Sequence, residues 1–172
     1  MSAVDRHLPI VESAPSRRVL LWPDEAATAA FATRWAQQAE LANAFIALHG
    51  DLGAGKTTLV RHLLQALGVT GRIKSPTYAV VEPYELPALN IWHFDFYRFN
   101  DPEEWEEAGF RDIFASPGLK LAEWPDKAAG MLPMADVALH LHTQPDTTRQ
   151  VTLVAGTPRG EALLRACDGA AA

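Results

Sequence analysis

Eight consecutive residues, Gly50-Asp51-Leu52-Gly53-Ala54-Gly55-Lys56-Thr57, have types and spacing that suit phosphate chemistry. They match G-x-x-x-x-G-K-[ST], the loop that cradles nucleotide phosphates. Gly50, Gly53 and Gly55 let the backbone turn tightly and bring its N–H groups to phosphate oxygens without a Cβ in the way. Lys56 supplies a point charge for the β- and γ-phosphates. Thr57 offers a hydroxyl to a hard cation such as Mg²⁺. A helix opening at this point adds its positive end, where unpaired N–H groups favour an anion.

Such a loop also needs a carboxylate, usually at the C-terminal end of a neighbouring strand. Two acids qualify. In Ile91-Trp92-His93-Phe94-Asp95-Phe96-Tyr97-Arg98, strand alternation puts His93, Asp95 and Tyr97 on one face and Trp92, Phe94 and Phe96 on the other. Asp95 in so apolar a strand needs a partner, which is either the metal and its water or a structural pairing with Arg98. Glu123 closes the run Leu119-Lys-Leu-Ala-Glu, just before Trp124-Pro125. It is either a metal- or water-positioning acid or an exposed strand end. The residues leave open which of the two acids touches the metal. Ser75-Pro76-Thr77 falls where phosphate-loop proteins place a segment that senses the γ-phosphate, so Thr77 is a candidate to reach the metal or the attacking water. It reads equally as a proline turn that caps a strand.

The six histidines form no metal pattern: His140 and His142 share a strand face but lack a third ligand at a useful spacing. The five tryptophans read as packing residues, with Trp124 the exception because it follows Glu123.

The elements that must position these groups follow from periodicity and breakers. Residues 44–49 read as a buried strand. Residues 56–67 read as a helix, with Leu59, Leu63, Leu64 and Leu67 at helical spacing and Gly68 as its stop. Upstream, 19–22 is a strand, and Pro23-Asp24-Glu25 opens a helix running to about Ala39. Downstream come a strand over 78–82, a turn-rich link over 83–90 and a strand over 91–97. A short helix over 102–108, capped by Asp101, and a strand over 119–123 follow. A helical start over 125–129, strands over 137–142 and 150–154 joined as a hairpin, and a closing helix over 158–167 complete the chain. Early strand–helix alternation and a late hairpin predict an α/β fold: a P-loop NTPase-like three-layer domain with a mixed, mainly parallel sheet. The domain is expected over 19–168, with 1–18 as a tail.

At 172 residues, 48% hydrophobic and 21% charged, the composition is that of an ordinary globular domain. No apolar run reaches the roughly 18 residues of a membrane span. The N-terminus lacks the basic and apolar segments of a secretory signal, and the single Cys167 has no disulfide partner; a cytoplasmic location is expected. A net charge of −6 with scattered Lys and Arg argues against a free-standing RNA binder, because phosphate neutralisation dominates that affinity. An Asn-Lys-x-Asp guanine reader is absent, which lowers a GTPase. The lack of an arginine-rich lid lowers a small-molecule kinase. A nucleotide-gated binding module with incidental hydrolysis stays open beside a working ATPase.

Four motifs stand in one order. They are Gly50 to Thr58; Lys74-Ser-Pro-Thr-Tyr78 leading to Val81-Glu-Pro-Tyr84; His93-x-Asp95-x-Tyr97-Arg98; and Glu123-Trp124-Pro125. From about Leu21 to Val154 the chain thereby resembles the TsaE family, small bacterial ATPases of tRNA threonylcarbamoyladenosine biosynthesis. The resemblance implies ATP/ADP and Mg²⁺ as cofactors and weak activity alone. It implies partnership with TsaD and TsaB, which carry the carbamoyl transfer to adenosine beside the anticodon; hydrolysis would drive turnover of the complex, and tRNA would be met only indirectly. By position it implies nucleotide contacts from Asp51, Leu52, Gly53, Ala54, Gly55, Lys56, Thr57 and Thr58, with Thr57, Glu123 and Asp95 around the metal. Catalytic roles fall to Asp95, Glu123 and Thr77. Trp124 falls in a nucleotide-responsive segment, Asp24 and Glu25 match a segment near the base, and Arg149 is a further candidate near the nucleotide. Phe96 and Phe99 stand where the family often has leucine, a change conservative for packing.

Overall fold

The strongest helical period in the sequence forms α2 (Lys56–Leu67). Leu59, Val60, Leu63 and Leu64 are buried along one stripe. Gly68 ends the helix: its N–H donates to the Gln65 carbonyl, and the Val69 N–H donates to the Leu64 carbonyl. The computed structural model describes residues 15–76 and 78–168, without the Pro102 side chain. Thr77 and positions 1–14 of the expected tail lie outside the described residues.

α1 (Glu25–Ala36) begins at Asp24, whose carboxylate accepts from the Ala27 N–H at 3.0 Å, and buries Thr28, Phe31, Ala32 and Trp35. It ends three residues before the expected Ala39. The N–H groups of Gln37 and Gln38 bond to the carbonyls three residues back, tightening the last turn, and a separate 3₁₀ turn covers Ala39–Asn43.

Seven strands form one sheet: β1 (Arg17–Trp22), β2 (Phe45–His49), β3 (Val81–Leu86), β4 (Leu89–Asp95), β5 (Leu119–Glu123), β6 (Val137–Thr143) and β7 (Arg149–Ala155). Their order is β1-β7-β6-β2-β5-β4-β3. The central pairs β6–β2, β2–β5 and β5–β4 are parallel. The outer pairs β1–β7, β7–β6 and β4–β3 are antiparallel. The sheet is therefore mixed, and parallel only at its centre.

Two local expectations are corrected. The strand expected over 78–82 lies at Val81–Leu86 and runs through Pro83, inside the expected link. β3 is an edge strand, where a proline's missing N–H need not cost a ladder bond. The arrangement is a hairpin with β4, which starts at Leu89 and ends at Asp95, leaving Phe96 and Tyr97 beyond it. The second difference is an additional helix. Besides α3 (Pro102–Glu107), capped by the Asp101 carboxylate, a second helix α4 (Phe110–Ala115) follows Gly109. The chain closes with α5 (Pro158–Arg165), capped by Thr157.

Two cores flank the sheet. One joins α1, α2 and α5 to Ile46, Leu48, Ile91, Leu121, Leu139 and Leu153. The other is aromatic, built from Phe45, Phe94, Phe96, Phe99, Trp105 and Phe110, and includes α3 and α4. The alternation that sends Trp92 and Phe94 to the aromatic side leaves Ile91, His93 and Asp95 facing the side of α2. Among the described residues no helix is long and apolar enough to cross a membrane.

Candidate nucleotide site

The loop between β2 and α2 is shaped by two close approaches. A Cβ on Gly50, whose φ is +151°, would lie 2.8 Å from the Leu141 carbonyl oxygen on β6. A Cβ on Gly55, whose φ is +106°, would lie 3.1 Å from the Nε and Cζ of Arg149. Only glycine fits such backbone conformations without strain. The Asp51 carbonyl accepts from the Ala54 N–H at 3.0 Å and folds the loop back on itself. The first-turn N–H groups of α2 have no carbonyl upstream within the helix to bond to. They meet a cleft of about 300 Å³ lined by Leu52 to Thr58 together with Ser75, Asp95, Tyr97, Glu123, Trp124 and Arg149.

Lys56 is buried at the base of this cleft. Its Nζ donates to the Gly50 carbonyl and lies 3.7 Å from the centroid of the Trp124 ring. Burial pulls its pKa below the usual lysine value, and the nearby carboxylates of Glu123, Asp95 and Asp51 oppose that pull. The site thus holds a partly desolvated cation among acids, suited to a polyanion that arrives with its own counter-cation.

Asp95 and Glu123 are cross-strand neighbours at the C-terminal ends of β4 and β5. Each is drawn to different donors. Glu123, only 2% exposed, accepts the Thr57 hydroxyl at Oε1 (3.0 Å), and its Oε2 lies 2.6 Å from the Nε2 of His93. Asp95 accepts the Ser75 hydroxyl at Oδ2 (3.1 Å) and the Tyr97 N–H at Oδ1 (3.0 Å). Neither bland alternative holds. Glu123 is not a solvated strand end, and Arg98 turns its guanidinium over the Tyr78 ring, 4.7 Å from the centroid. A hydroxyl and a carboxylate already in contact suit Mg²⁺, which keeps several waters and phosphate oxygens and rarely uses an all-protein cage. No group of three His, Cys, Asp or Glu side chains that could hold a metal ion occurs among the described residues.

Trp124 adopts φ +53°, in the left-handed region that is rare for a bulky side chain. It packs 5.1 Å from the Tyr97 ring, and the 3₁₀ turn Pro125–Ala128 follows it. The helical start expected over 125–129 is this 3₁₀ turn, which goes no further.

The remaining candidates divide. Leu52, Gly53, Ala54, Gly55, Lys56, Thr57, Thr58 and Arg149 converge on the cleft. Asp51 contributes its carbonyl to the loop turn and its charge to Lys56. Asp24 and Glu25 stand elsewhere: Asp24 caps α1, and Glu25 pairs with Arg61 (3.1 Å) and His62 (2.8 Å) of α2. Sequence reasoning named Ser75 only as part of a γ-phosphate-sensing segment and gave no role to His93, although alternation had already put His93 on the face of Asp95. It also passed over His49, which ends β2. That ring stacks on His140 at 4.4 Å between centroids, and its Nδ1 is 3.6 Å from the Asp126 carboxylate. Burial first, then His140, lowers the His49 pKa, against a smaller opposing pull from Asp126.

The family model for "Threonylcarbamoyl adenosine biosynthesis protein TsaE" matches residues 22–151, a span that contains every residue lining the cleft. The chain belongs to the TsaE family. A relative from Haemophilus influenzae, the tRNA threonylcarbamoyladenosine biosynthesis protein TsaE, is 46% identical over 119 residues, covering 69% of this chain and 75% of the relative. The protein of the same name from Bacillus subtilis is 34% identical over 118 residues, covering 69% and 73%. Among solved structures, the crystal structure of Bacillus subtilis YdiB matches with a TM-score of 0.71 and 25% identity, over 89% of this chain and 95% of YdiB. This TsaE-family chain therefore belongs to the biosynthesis of a modified adenosine in tRNA.

Proposed function

We propose that this protein binds ATP and Mg²⁺ in the cleft and hydrolyses ATP as a working part of the machinery that forms threonylcarbamoyladenosine beside the tRNA anticodon. On this reading it acts in the cytoplasm with TsaD and TsaB, meets tRNA only through them, and its turnover resets the complex. The observation that carries the reading is the contact between Thr57 and Glu123 at the head of a glycine loop, with Lys56 buried beside them.

Each residue then has a physical task. The N–H groups from Gly53 to Thr58 hold phosphate oxygens at the positive end of α2. Lys56 exchanges the Gly50 carbonyl for phosphate, and the Trp124 ring shields it from water. Thr57 and Glu123 hold the cation, which when bound neutralises charge on the transferred phosphoryl group. Asp95, fixed by Ser75 and by the Tyr97 N–H, orients the attacking water. Arg149 covers Gly55 and borders the nucleotide. Asp24 and Glu25 border the base from the start of α1, which Asp24 caps and Glu25 ties to α2 through Arg61 and His62.

Steady-state ATP hydrolysis with Mg²⁺, by the protein alone and with purified TsaD and TsaB, tests the proposal. Slow turnover that rises with the partners is expected. Tight nucleotide binding with negligible turnover in both conditions would favour a nucleotide-gated module.

A further inference from the structure

Thr57 accounts for one oxygen of Glu123. The other is held by a residue outside the cleft lining. His93 is fully buried on β4, two residues before Asp95 and on the same face. Its register partner on β5 is Leu121, so its ring reaches diagonally to Glu123. Nε2 lies 2.6 Å from Glu123 Oε2, and Nδ1 has no hydrogen-bond partner among the described residues.

A ring held by one contact to one carboxylate has a narrow task. Glu123 faces Asp95 directly across the parallel pair. Left alone, its carboxylate could rotate, and like charges on neighbouring strands repel. With Oε2 fixed by the ring, Oε1 is the oxygen left to meet Thr57. For this Nε2 must carry a proton; in a neutral ring Nδ1 is then the bare nitrogen, in keeping with its lack of a hydrogen-bond partner among the described residues.

We propose that His93 is a positioning residue for Glu123: its Nε2–H fixes the carboxylate rotamer so that Oε1 and the Thr57 hydroxyl point together at one cation. The inference rests on the nucleotide–metal reading above. It assigns the residue a part in metal affinity rather than in phosphate binding.

Mn²⁺ affinity measured by electron paramagnetic resonance, with saturating ADP and the full chain, provides the test. His93→Leu keeps the buried volume and loses the donor. His93→Gln places an amide nitrogen at the same distance along the side chain. His93→Leu is expected to weaken Mn²⁺ binding about tenfold, the low end of what outer-sphere partners contribute, with metal-free ADP affinity unchanged. His93→Gln is expected to recover most of that loss. Wild-type Mn²⁺ affinity in a folded His93→Leu protein, or equal losses in both variants, would overturn the proposal. If the unmutated protein with ADP binds no Mn²⁺, the nucleotide–metal reading fails, and this inference fails with it. One measurement needs no variant: ¹⁵N-histidine NMR of the native protein should show the Nε2–H tautomer at His93, and the Nδ1–H tautomer would refute the assignment.

Discussion

Replacing Glu123 by glutamine isolates the carboxylate's charge from its shape. Both oxygens are engaged, one by Thr57 at 3.0 Å and one by His93 at 2.6 Å. In Glu123→Gln the amide oxygen would keep an acceptor for the Thr57 hydroxyl. The amide NH₂ would turn toward His93, which accepts if its ring proton moves to Nδ1. Two charge-assisted bonds thus become neutral ones. Such bonds contribute about 1.5–3 kcal/mol each when charged and about 0.5–1.5 when neutral, a difference of about 1–1.5 per bond, so the loss is roughly 2–3 kcal/mol in all. Relief of the repulsion with Asp95 offsets part of it. The fold should survive, because a domain typically has a margin of about 5–15 kcal/mol. Function should not, since on the proposed reading the cation would lose the charge of the carboxylate that Thr57 meets. Hydrolysis should fall about 10²-fold or more, and Mn²⁺ binding in the ADP complex should weaken at least tenfold. Thermal unfolding, metal titration and steady-state hydrolysis on the same preparation separate these effects. A folded Glu123→Gln protein with native turnover and native metal affinity would refute the metal assignment.

Two further outcomes follow from the same geometry. Lys56→Ala removes a charge-assisted phosphate contact of about 1.5–3 kcal/mol, so ADP and ATP should bind roughly 10- to 100-fold more weakly by calorimetry; unchanged affinity would mean that the glycine loop does not hold phosphate. The lowered pKa of His49 bears on acid stability. Below the ordinary histidine value of 6.5 the unfolded chain takes up this proton while the folded ring resists it. Stability is therefore lost as pH falls through that value, and the loss levels off once the folded ring is charged. His49→Gln should flatten this part of the profile in urea melts between about pH 5 and 8; an undiminished acid loss would assign the effect to other groups.

The phosphate loop and α2 were legible because their determinants are local: glycines at fixed offsets, a leucine stripe and a glycine stop. β5 was legible for the same reason, as an apolar run ended by Trp124-Pro125. Alternation in β4 correctly sorted His93 and Asp95 from Phe94. The misreadings come from context the sequence does not carry. Pro83 marks a break anywhere but at a sheet edge, and only the strand order shows that β3 is that edge. α4 is as short as α3, too short for a helical period to stand out, and it follows Gly109 without the side-chain cap by which Asp101 marks α3. The contact from Thr57 to Glu123 spans 66 positions and depends on β2 and β5 lying side by side. Candidates could thus be named from spacing, but their pairing, and the diagonal reach of His93, required the sheet register.

Whether the cleft turns over ATP in the service of the tRNA-modifying complex is decided by steady-state hydrolysis with Mg²⁺, before and after addition of TsaD and TsaB. Slow turnover alone, a sharp rise with the partners, and loss of both in Glu123→Gln are expected. Hydrolysis that stays at background with the partners present, or that is indifferent to Glu123, would contradict the proposed function.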